Sequence, residues 1–316
     1  MTVDRVATNT QAQYLLSQIM NANSALDTTQ AQVASGKVST NYVGIGDKTA
    51  ALEAARAAAA RADAHASNTQ LAVTQTDLQN THLTTLSNLA EELKQALTGA
   101  AGNSDGTNLM ATANDVFQQA SAILNSTDAN GNYIYGGGQG DAKPFTATSL
   151  SDLTSASVAS FFQNGAQKRS VLVGDGQSVQ VGLLASDIGS ELMSALRNVA
   201  NADSPSGSLD GSLTSAQTAN LTDNVLPSAT TAYTDLNTAT GTNGDTYNRL
   251  KDSVANQQSL STLYKGFVSD IEDVDMTQAV TKLNQNQVAL QAALAVSAKL
   301  GQLSLLNYLP ATTTTG

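Results

Sequence analysis

Two glycine-rich segments hold residue types that bind phosphate groups in other proteins. The first is GIGDKT at 44–49, and the second is the glycine triplet at 136–138. A phosphate loop needs the register G-x-x-x-x-G-K-[ST], and a dinucleotide site needs G-x-G-x-x-G at the start of a helix. Neither segment has the required register. We therefore expect both to form loops or strand ends, with no bound nucleotide cofactor.

The stretch STDANGN at 126–132 is a candidate metal site, because it begins like a calcium-binding loop. Ser126, Asp128 and Asn130 supply the early oxygen ligands, but the twelfth position of such a loop falls on Gly137. That position requires a bidentate Glu. An Asx-type turn is the better interpretation, and we expect no metal site here.

Histidines and carboxylates do not form a catalytic pattern in this sequence. His65 and His82 lie 17 residues apart without a Cys or H-E-x-x-H context, which favours packing or solvent-facing roles. Glu91 and Glu92 are adjacent, so a helix points them in different directions. The acids at 272–275 are expected to be surface charge before the last helix. We predict no catalytic residues and no enzymatic activity.

The composition favours thin helical bundles over one large core. Of the 316 residues, 41% are hydrophobic but many are Ala, and only 4% are aromatic. Ala lets helices approach closely yet buries little area, so we expect an elongated molecule. A net charge of −11 argues against a nucleic-acid partner, because phosphate binding needs clustered Lys and Arg. Without Cys, the chain has neither disulfides nor thiolate metal sites.

The N-terminal segment MTVDRVATNTQAQYLLSQIM has no apolar run long enough for a cleavable signal peptide. We also find no stretch of about 20 apolar residues that would predict a membrane span. If the protein leaves the cell, we expect another export route.

The two ends of the chain carry matched narrow apolar stripes, and these stripes organise the fold. Heptad-like spacing predicts a helix at each end, interrupted by polar residues at equivalent places. The stripe residues are Leu16, Ile19, Asn23, Leu26, Gln30 and Val33 near the N-terminus, and Val280, Leu283, Gln287, Leu290, Leu294 and Ser297 near the C-terminus. Stripes this thin suit a helix partner, so we expect the two ends to pair.

The middle of the chain predicts long helices around a small β-rich insertion. Helical composition runs for almost 50 residues from Thr49, with turns expected at 41–46 and 99–106 and a first-turn position or kink at Pro227. Short β-type runs at 133–135, 169–173 and 179–181 include a hairpin through Gly174-Asp175-Gly176. We predict a mainly α fold with three parts: 1–40 plus 275–316, 41–135 plus 187–274, and a β-rich part at 136–186.

The segments LSQIMNANSALDTTQAQVASGK (16–37) and VALQAALAVSAKLGQLSLLNYL (288–309) resemble the paired terminal helices of the flagellin family of bacterial flagellar axial proteins. Within that family, NYIYGGGQGDAKPF (132–145) and FFQNGAQKRSVLVGDGQSVQV (161–181) are similar to the hook-associated members at the hook–filament junction. The resemblance implies an extracellular structural protein of the flagellum, exported unfolded without a cleavable signal. The tail PATTTTG is expected to be flexible.

The same resemblance implies self-assembly into a ring through the terminal helices. The expected partners are further copies of the chain, a proximal junction protein on the hook side, flagellin on the filament side, the export apparatus and an export chaperone. The assembly interface is predicted at Leu16, Ile19, Leu26, Val33, Val280, Leu283, Leu290, Leu294, Leu303, Leu305, Leu306, Tyr308 and Leu309. Thin stripes also predict ends that order only on assembly. The alternatives are a flagellin filament subunit, an adhesin using the β insertion, and an enzyme on a helical scaffold.

Overall fold

The structure, a computed structural model, describes the backbone of residues 2–203 and 207–306 and the side chains of residues 10–203 and 207–299. The α-helices in this part of the chain are α1 Thr2–Ser35, α2 Tyr42–Ile45, α3 Thr49–Asn103, α4 Leu109–Leu124, α5 Asp152–Ser155, α6 Ala185–Asp203, α7 Ser215–Asn220, α8 Leu226–Glu272 and α9 Met276–Leu306. The strands are β1 Ser170–Gly174 and β2 Gln177–Gln180. The predicted mainly α fold with a small β insertion is confirmed, while the tail at 310–316 lies outside the described residues.

The chain divides into two compact units. The first contains residues 1–60 and 261–316, and the second contains residues 61–260. The long helices α3 and α8 each contribute residues to both units. The three-part division expected from the sequence stays a prediction.

In the first unit, α1 and α9 pack against each other in antiparallel directions. Gly36 ends α1 with a left-handed φ of 71°. The segment after it pairs with the break between α8 and α9, where Lys37 and Asp273 form an antiparallel bridge. The Val38 N–H donates to the Glu272 carbonyl at 2.7 Å, and the Val274 N–H donates to the Gly36 carbonyl at 2.9 Å. These bonds join the start of α9 to the end of α1.

The second unit has a continuous apolar core formed by the later part of α3, by α4 and α6, and by the start of α8. Its largest fully buried side chains include Leu86, Leu93, Leu97, Leu124, Tyr135, Phe145, Leu153, Leu192, Met193 and Leu196. Helix α4 buries Val116, Phe117, Ala120 and Leu124 in this core and partly buries Ile123, and α6 buries Ile188, Leu192 and Leu196. This core explains why a sequence poor in aromatic residues still folds a compact unit, because Leu stripes from several helices converge.

The β1–β2 hairpin forms a second apolar cluster within the same unit. Val171 pairs with Val179 across the two strands, and the turn passes through Gly176 at a φ of 72°. Val173, Val179 and Val181 pack with Ala72 and Val73 of α3 and with Leu250 and Val254 of α8. The predicted hairpin is therefore confirmed. The expected β run at 133–135 forms only an isolated bridge between Thr127 and Tyr133 in the described chain.

Two local predictions differ from the structure. The expected loop at 41–46 contains the short helix α2, because the Asn41 side chain accepts a hydrogen bond from the Gly44 N–H at 3.0 Å. The expected turn at 99–106 begins later, since α3 continues to Asn103 and buries Ala100. Pro227 occupies the predicted first-turn position, as the second residue of α8, and follows a π-helical stretch at Leu221–Val225.

Candidate assembly surface

The contact between α1 and α9 follows a heptad pattern with alternating spacings of four and three. We use a and d for the inward positions and e for the position directly after each d. The a positions are Ile19, Leu26 and Val33 on α1, and Leu283, Leu290 and Ser297 on α9; the d positions are Leu15, Ala22 and Thr29 on α1, and Ala279, Asn286 and Ala293 on α9. All of these side chains are buried or half-buried, whereas the e positions are exposed.

The predicted stripe therefore shares only its a positions with the observed seam. Ile19, Leu26, Val33, Leu283 and Leu290 are half-buried in the pairing of α1 with α9. The other predicted stripe members occupy e positions and lie outside the seam: Leu16, Asn23 and Gln30 on α1, and Val280, Gln287 and Leu294 on α9. The seam uses smaller d residues instead, and small side chains let two helices approach closely.

A polar contact lies at the centre of this seam. Thr29 is only 6% exposed, and its hydroxyl donates within α1 to the Ala25 and Leu26 carbonyls, each at 3.0 Å. From α9, the Asn286 side-chain amide donates to Thr29 Oγ1 at 3.3 Å and to the Ala25 carbonyl at 3.2 Å. We call this the Thr29–Asn286 contact. It places hydrogen bonds at a layer where an apolar stripe would place Leu or Val.

The e positions of α1 and α9 form a row that we call the outer row: Leu16, Asn23, Gln30, Val280, Gln287 and Leu294. In an antiparallel pair, e positions of both helices lie on the same side of the seam. Leu16 is 57% exposed, Val280 is 42% exposed and Leu294 is 50% exposed. The outer row thus presents apolar side chains that the pairing within the chain leaves uncovered.

The remaining predicted interface residues lie beyond the side chains that the structure describes. Leu303, Leu305 and Leu306 belong to α9, but their side chains lie outside the described residues. Tyr308 and Leu309 lie wholly outside the described residues. The assembly interface as a whole stays a prediction.

A cluster of charged side chains fastens the base of the α1–α9 pair, and we call it the base cluster. Glu272, at the end of α8, is 7% exposed. Its carboxylate pairs with the Lys37 ammonium and, at 2.6 Å, with the Arg56 guanidinium of α3. Hydrogen bonds from Lys37 and Arg56 lower the pKa of the Glu272 carboxyl, although burial opposes the shift. The acids at 272–275 were expected to be surface charge, and for Glu272 that prediction is wrong.

The glycine triplet and the histidines have structural roles in the second unit. Gly137 adopts a left-handed φ of 57°, and a Cβ there would lie 2.4 Å from the Gly165 carbonyl oxygen. His82 packs against Tyr135, with Nδ1 2.8 Å from the phenol oxygen. Burial lowers the pKa of His82 and raises that of Tyr135. His65 Nε2 lies 3.3 Å from an Asp175 carboxylate oxygen at the hairpin turn.

The described residues bring together no group of three or more His, Cys, Asp or Glu side chains suited to a metal ion. Within the same residues, no helix has the length and hydropathy needed to cross a membrane. Asp128 instead accepts hydrogen bonds from the N–H groups of Asn130 and Asn132 at 2.8 and 3.0 Å. This arrangement is the Asx-type turn that the sequence favoured.

Comparison with known proteins bears on the helices that form this surface. Residues 226–309 match the family model of the bacterial flagellin C-terminal helical region. This match covers α8 and α9, and therefore the α9 side of the seam and of the outer row. Comparison with curated protein sequences finds no significant match. The matched region lies within a mainly helical, flagellin-like fold.

Two solved structures share this fold. A putative flagellar hook-associated protein from Vibrio parahaemolyticus is 14% identical with a TM-score of 0.56, and the match covers 74% of this chain and 99% of that chain. Bacillus cereus FlgL is 15% identical with a TM-score of 0.51, and the match covers 69% of this chain and 98% of that chain. At these identities the likeness to the two structures shows the fold.

Sequence reasoning missed the d positions of the seam and the base cluster. A search for large apolar side chains does not detect Ala, Thr or Asn. Heptad spacing nevertheless relates the d residues Ala22, Thr29, Ala279, Asn286 and Ala293 within each helix. That repeat was the available signal. No sequence signal links Glu272 to Lys37 and Arg56, because the three residues are far apart along the chain.

Proposed function

We propose that this chain is a structural protein of the bacterial flagellum that assembles through its paired terminal helices. The observation that carries the proposal is the outer row, which exposes Leu16, Val280 and Leu294 beside a seam whose a positions are only half-buried. The match of residues 226–309 to the flagellin C-terminal helical region supports the same function for this part of the chain.

The proposed mechanism is association of apolar helix faces. Fully burying one Leu or Val side chain contributes about 1.5–3 kcal/mol. The apolar side chains of the outer row are only partly buried within one chain, so only part of this stabilisation is present before assembly. A neighbouring copy that covers the outer row also covers the open sides of the half-buried a positions. Assembly then stabilises the pairing of α1 with α9, and we expect the two ends to be more ordered in the assembled state than in the free chain.

We place the chain at the hook–filament junction, as a distal junction protein. This proposal is supported by a fold shared with a putative flagellar hook-associated protein and with Bacillus cereus FlgL, since the match covers both of those chains almost completely. In this proposal the chain forms a ring with further copies of itself, contacts a proximal junction protein on the hook side and flagellin on the filament side, and reaches the extracellular end through the flagellar export apparatus with a chaperone.

A flagellin filament subunit is the second candidate, favoured by the description of the family that residues 226–309 match. The two candidates differ in where the protein is found. Labelling restricted to a narrow zone at the end of the hook supports the junction protein, and labelling along the filament supports flagellin.

Deletion of the gene tests the proposal directly. We expect cells with hooks but no filaments and flagellin released into the medium, and restoration of filaments when the intact gene is supplied. Normal filaments in the deletion strain would reject the junction assignment, and loss of filament protein without released flagellin would favour the filament subunit.

A further inference from the structure

Helix α9 offers α1 two alternative faces that share the same a positions. One face combines Leu283 and Leu290 with the d residues, and the other combines them with the e residues. Because successive residues are about 100° apart around a helix, exchanging d for e turns the inward face by roughly 50°. Both faces have heptad spacing, so spacing alone does not select between them.

Apolar burial alone favours the face that the structure leaves outside. The d face of α9 carries Ala279 and Ala293, whereas the e face carries the larger Val280 and Leu294. The observed burial is the reverse of this order, since Ala279 is 1% exposed and Val280 is 42% exposed. The size of the apolar side chains on α9 therefore does not by itself account for its observed orientation.

The Thr29–Asn286 contact is the interaction that distinguishes the two faces. Asn286 is half-buried at a d position, and its amide donates to both Thr29 Oγ1 and the Ala25 carbonyl. Turning α9 by 50° would carry this amide away from both acceptors. When both helices turn their e faces inward, Gln287 replaces Asn286 and faces Gln30 across the seam rather than Thr29.

The base cluster lies before the first residue of α9, at one end of the seam. Glu272 and the bridge between Lys37 and Asp273 fix where α9 begins. The Thr29–Asn286 contact acts within the seam itself, between the d positions Ala279 and Ala293.

We propose that Asn286 is the specificity-determining residue that selects the d face of α9 for pairing with α1 and so keeps Val280 and Leu294 outward. The hydrogen bonds of Asn286 oppose the rotation that would bury these two side chains within the chain. The use of the outer row by a second copy rests on the proposed function, whereas the choice of face does not.

Disulfide trapping tests the choice of face, because the chain has no Cys and two introduced thiols have only each other to pair with inside one molecule. The Thr29–Asn286 contact and heptad spacing place Ala22 opposite Ala293, so Ala22→Cys with Ala293→Cys reports the d face. Asn23→Cys with Leu294→Cys reports the e face. The two pairs have the same separation along the chain, so random closure contributes equally to both.

We expect the d pair to cross-link faster than the e pair in the otherwise unchanged chain. Asn286→Ala should lower the ratio of the two rates roughly fivefold, the factor expected from losing about one buried hydrogen bond. Thr29→Val should lower it less, because the Ala25 carbonyl still accepts from Asn286. Asn284→Ala removes an exposed amide that lies outside both faces and should leave the ratio unchanged.

Two results would overturn the proposal. One is an unchanged ratio in both Asn286→Ala and Thr29→Val. The other is a fall of both rates to those measured in concentrated urea, which would mean that Asn286 stabilises the pair without choosing its face. Intrachain cross-linking at low protein concentration does not depend on assembly, so failure here is separate from failure of the flagellar function.

Discussion

The glycine at position 137 gives a quantitative test of how the second unit is packed. Its φ of 57° lies in the left-handed region, where an Ala costs about 1–2 kcal/mol. An added Cβ would also lie 2.4 Å from the Gly165 carbonyl oxygen and 2.6 Å from Leu184 Cδ2. Relieving such overlap costs roughly 1–3 kcal/mol. We therefore expect Gly137→Ala to reduce the free energy of unfolding by about 2–5 kcal/mol.

Gly176 provides the matched control for this substitution. It has a φ of 72° in the hairpin turn, but nothing lies within 4 Å of a Cβ built there. Gly176→Ala should therefore lose only about 1–2 kcal/mol, the backbone part of the cost. Urea unfolding followed by circular dichroism measures both variants. Equal losses in the two variants would refute the claim that the triplet is fixed by close packing against Gly165 and Leu184.

Three further predictions concern the base cluster and the buried polar contacts. The pKa of Glu272 is lowered from its ordinary value of 4.5, so the stability that its carboxylate contributes is complete above pH 4.5 and is lost as pH falls through the lowered value. Glu272→Gln should remove this acid dependence from the hydrogen exchange of residues 30–38. An unchanged dependence would rule out Glu272 as its source. Tyr135→Phe should cost about 1 kcal/mol in urea unfolding, because the phenol contacts His82 in a buried site, whereas the exposed Tyr14→Phe should cost almost nothing. Asn243→Ala should also destabilise the second unit by about 1 kcal/mol or more, since its buried amide donates to the Thr76 carbonyl at 3.0 Å; a loss no larger than that of the exposed Asn256→Ala would contradict this role.

The sequence predicts the helices of this chain well because their apolar spacing is a local property. Leu16 to Val33 and Val280 to Leu294 indicated paired terminal helices, and α1 and α9 pair as expected. The hairpin at 170–180 was equally clear, because Gly174-Asp175-Gly176 separates two β-branched runs. Boundaries were less accurate where capping or burial extends a helix, as at Asn41 and Ala100.

The face of each terminal helix was harder to predict than the helix itself. A count of large apolar residues selects Val280 and Leu294, because it assumes that the most apolar face is buried. The observed seam buries Ala279 and Asn286 instead. That choice depends on a hydrogen bond to Thr29 in a segment more than two hundred residues away, so spacing within α9 does not reveal it.

The same limit applies to the base cluster. The sequence shows a run of acidic residues at Glu272, Asp273 and Asp275, and such runs are usually exposed to solvent. Only the fold brings Lys37 and Arg56 to the carboxylate of Glu272 and leaves Asp273 exposed. Both the base cluster and the seam therefore depend on pairing between segments far apart in the sequence.

The most direct test of the central claim is assembly by a chain with a charge in the outer row. Leu294→Asp places a carboxylate at a side chain that is 50% exposed in the single chain and that we propose is covered by a neighbouring copy. Asn284→Asp, at an exposed polar position of the same helix, is the control. Each variant is supplied to the deletion strain, and the protein is quantified in sedimented flagella and in the medium. We predict that Asn284→Asp sediments with flagella and that Leu294→Asp remains in the medium; equal incorporation of both variants would contradict the outer row as the assembly surface.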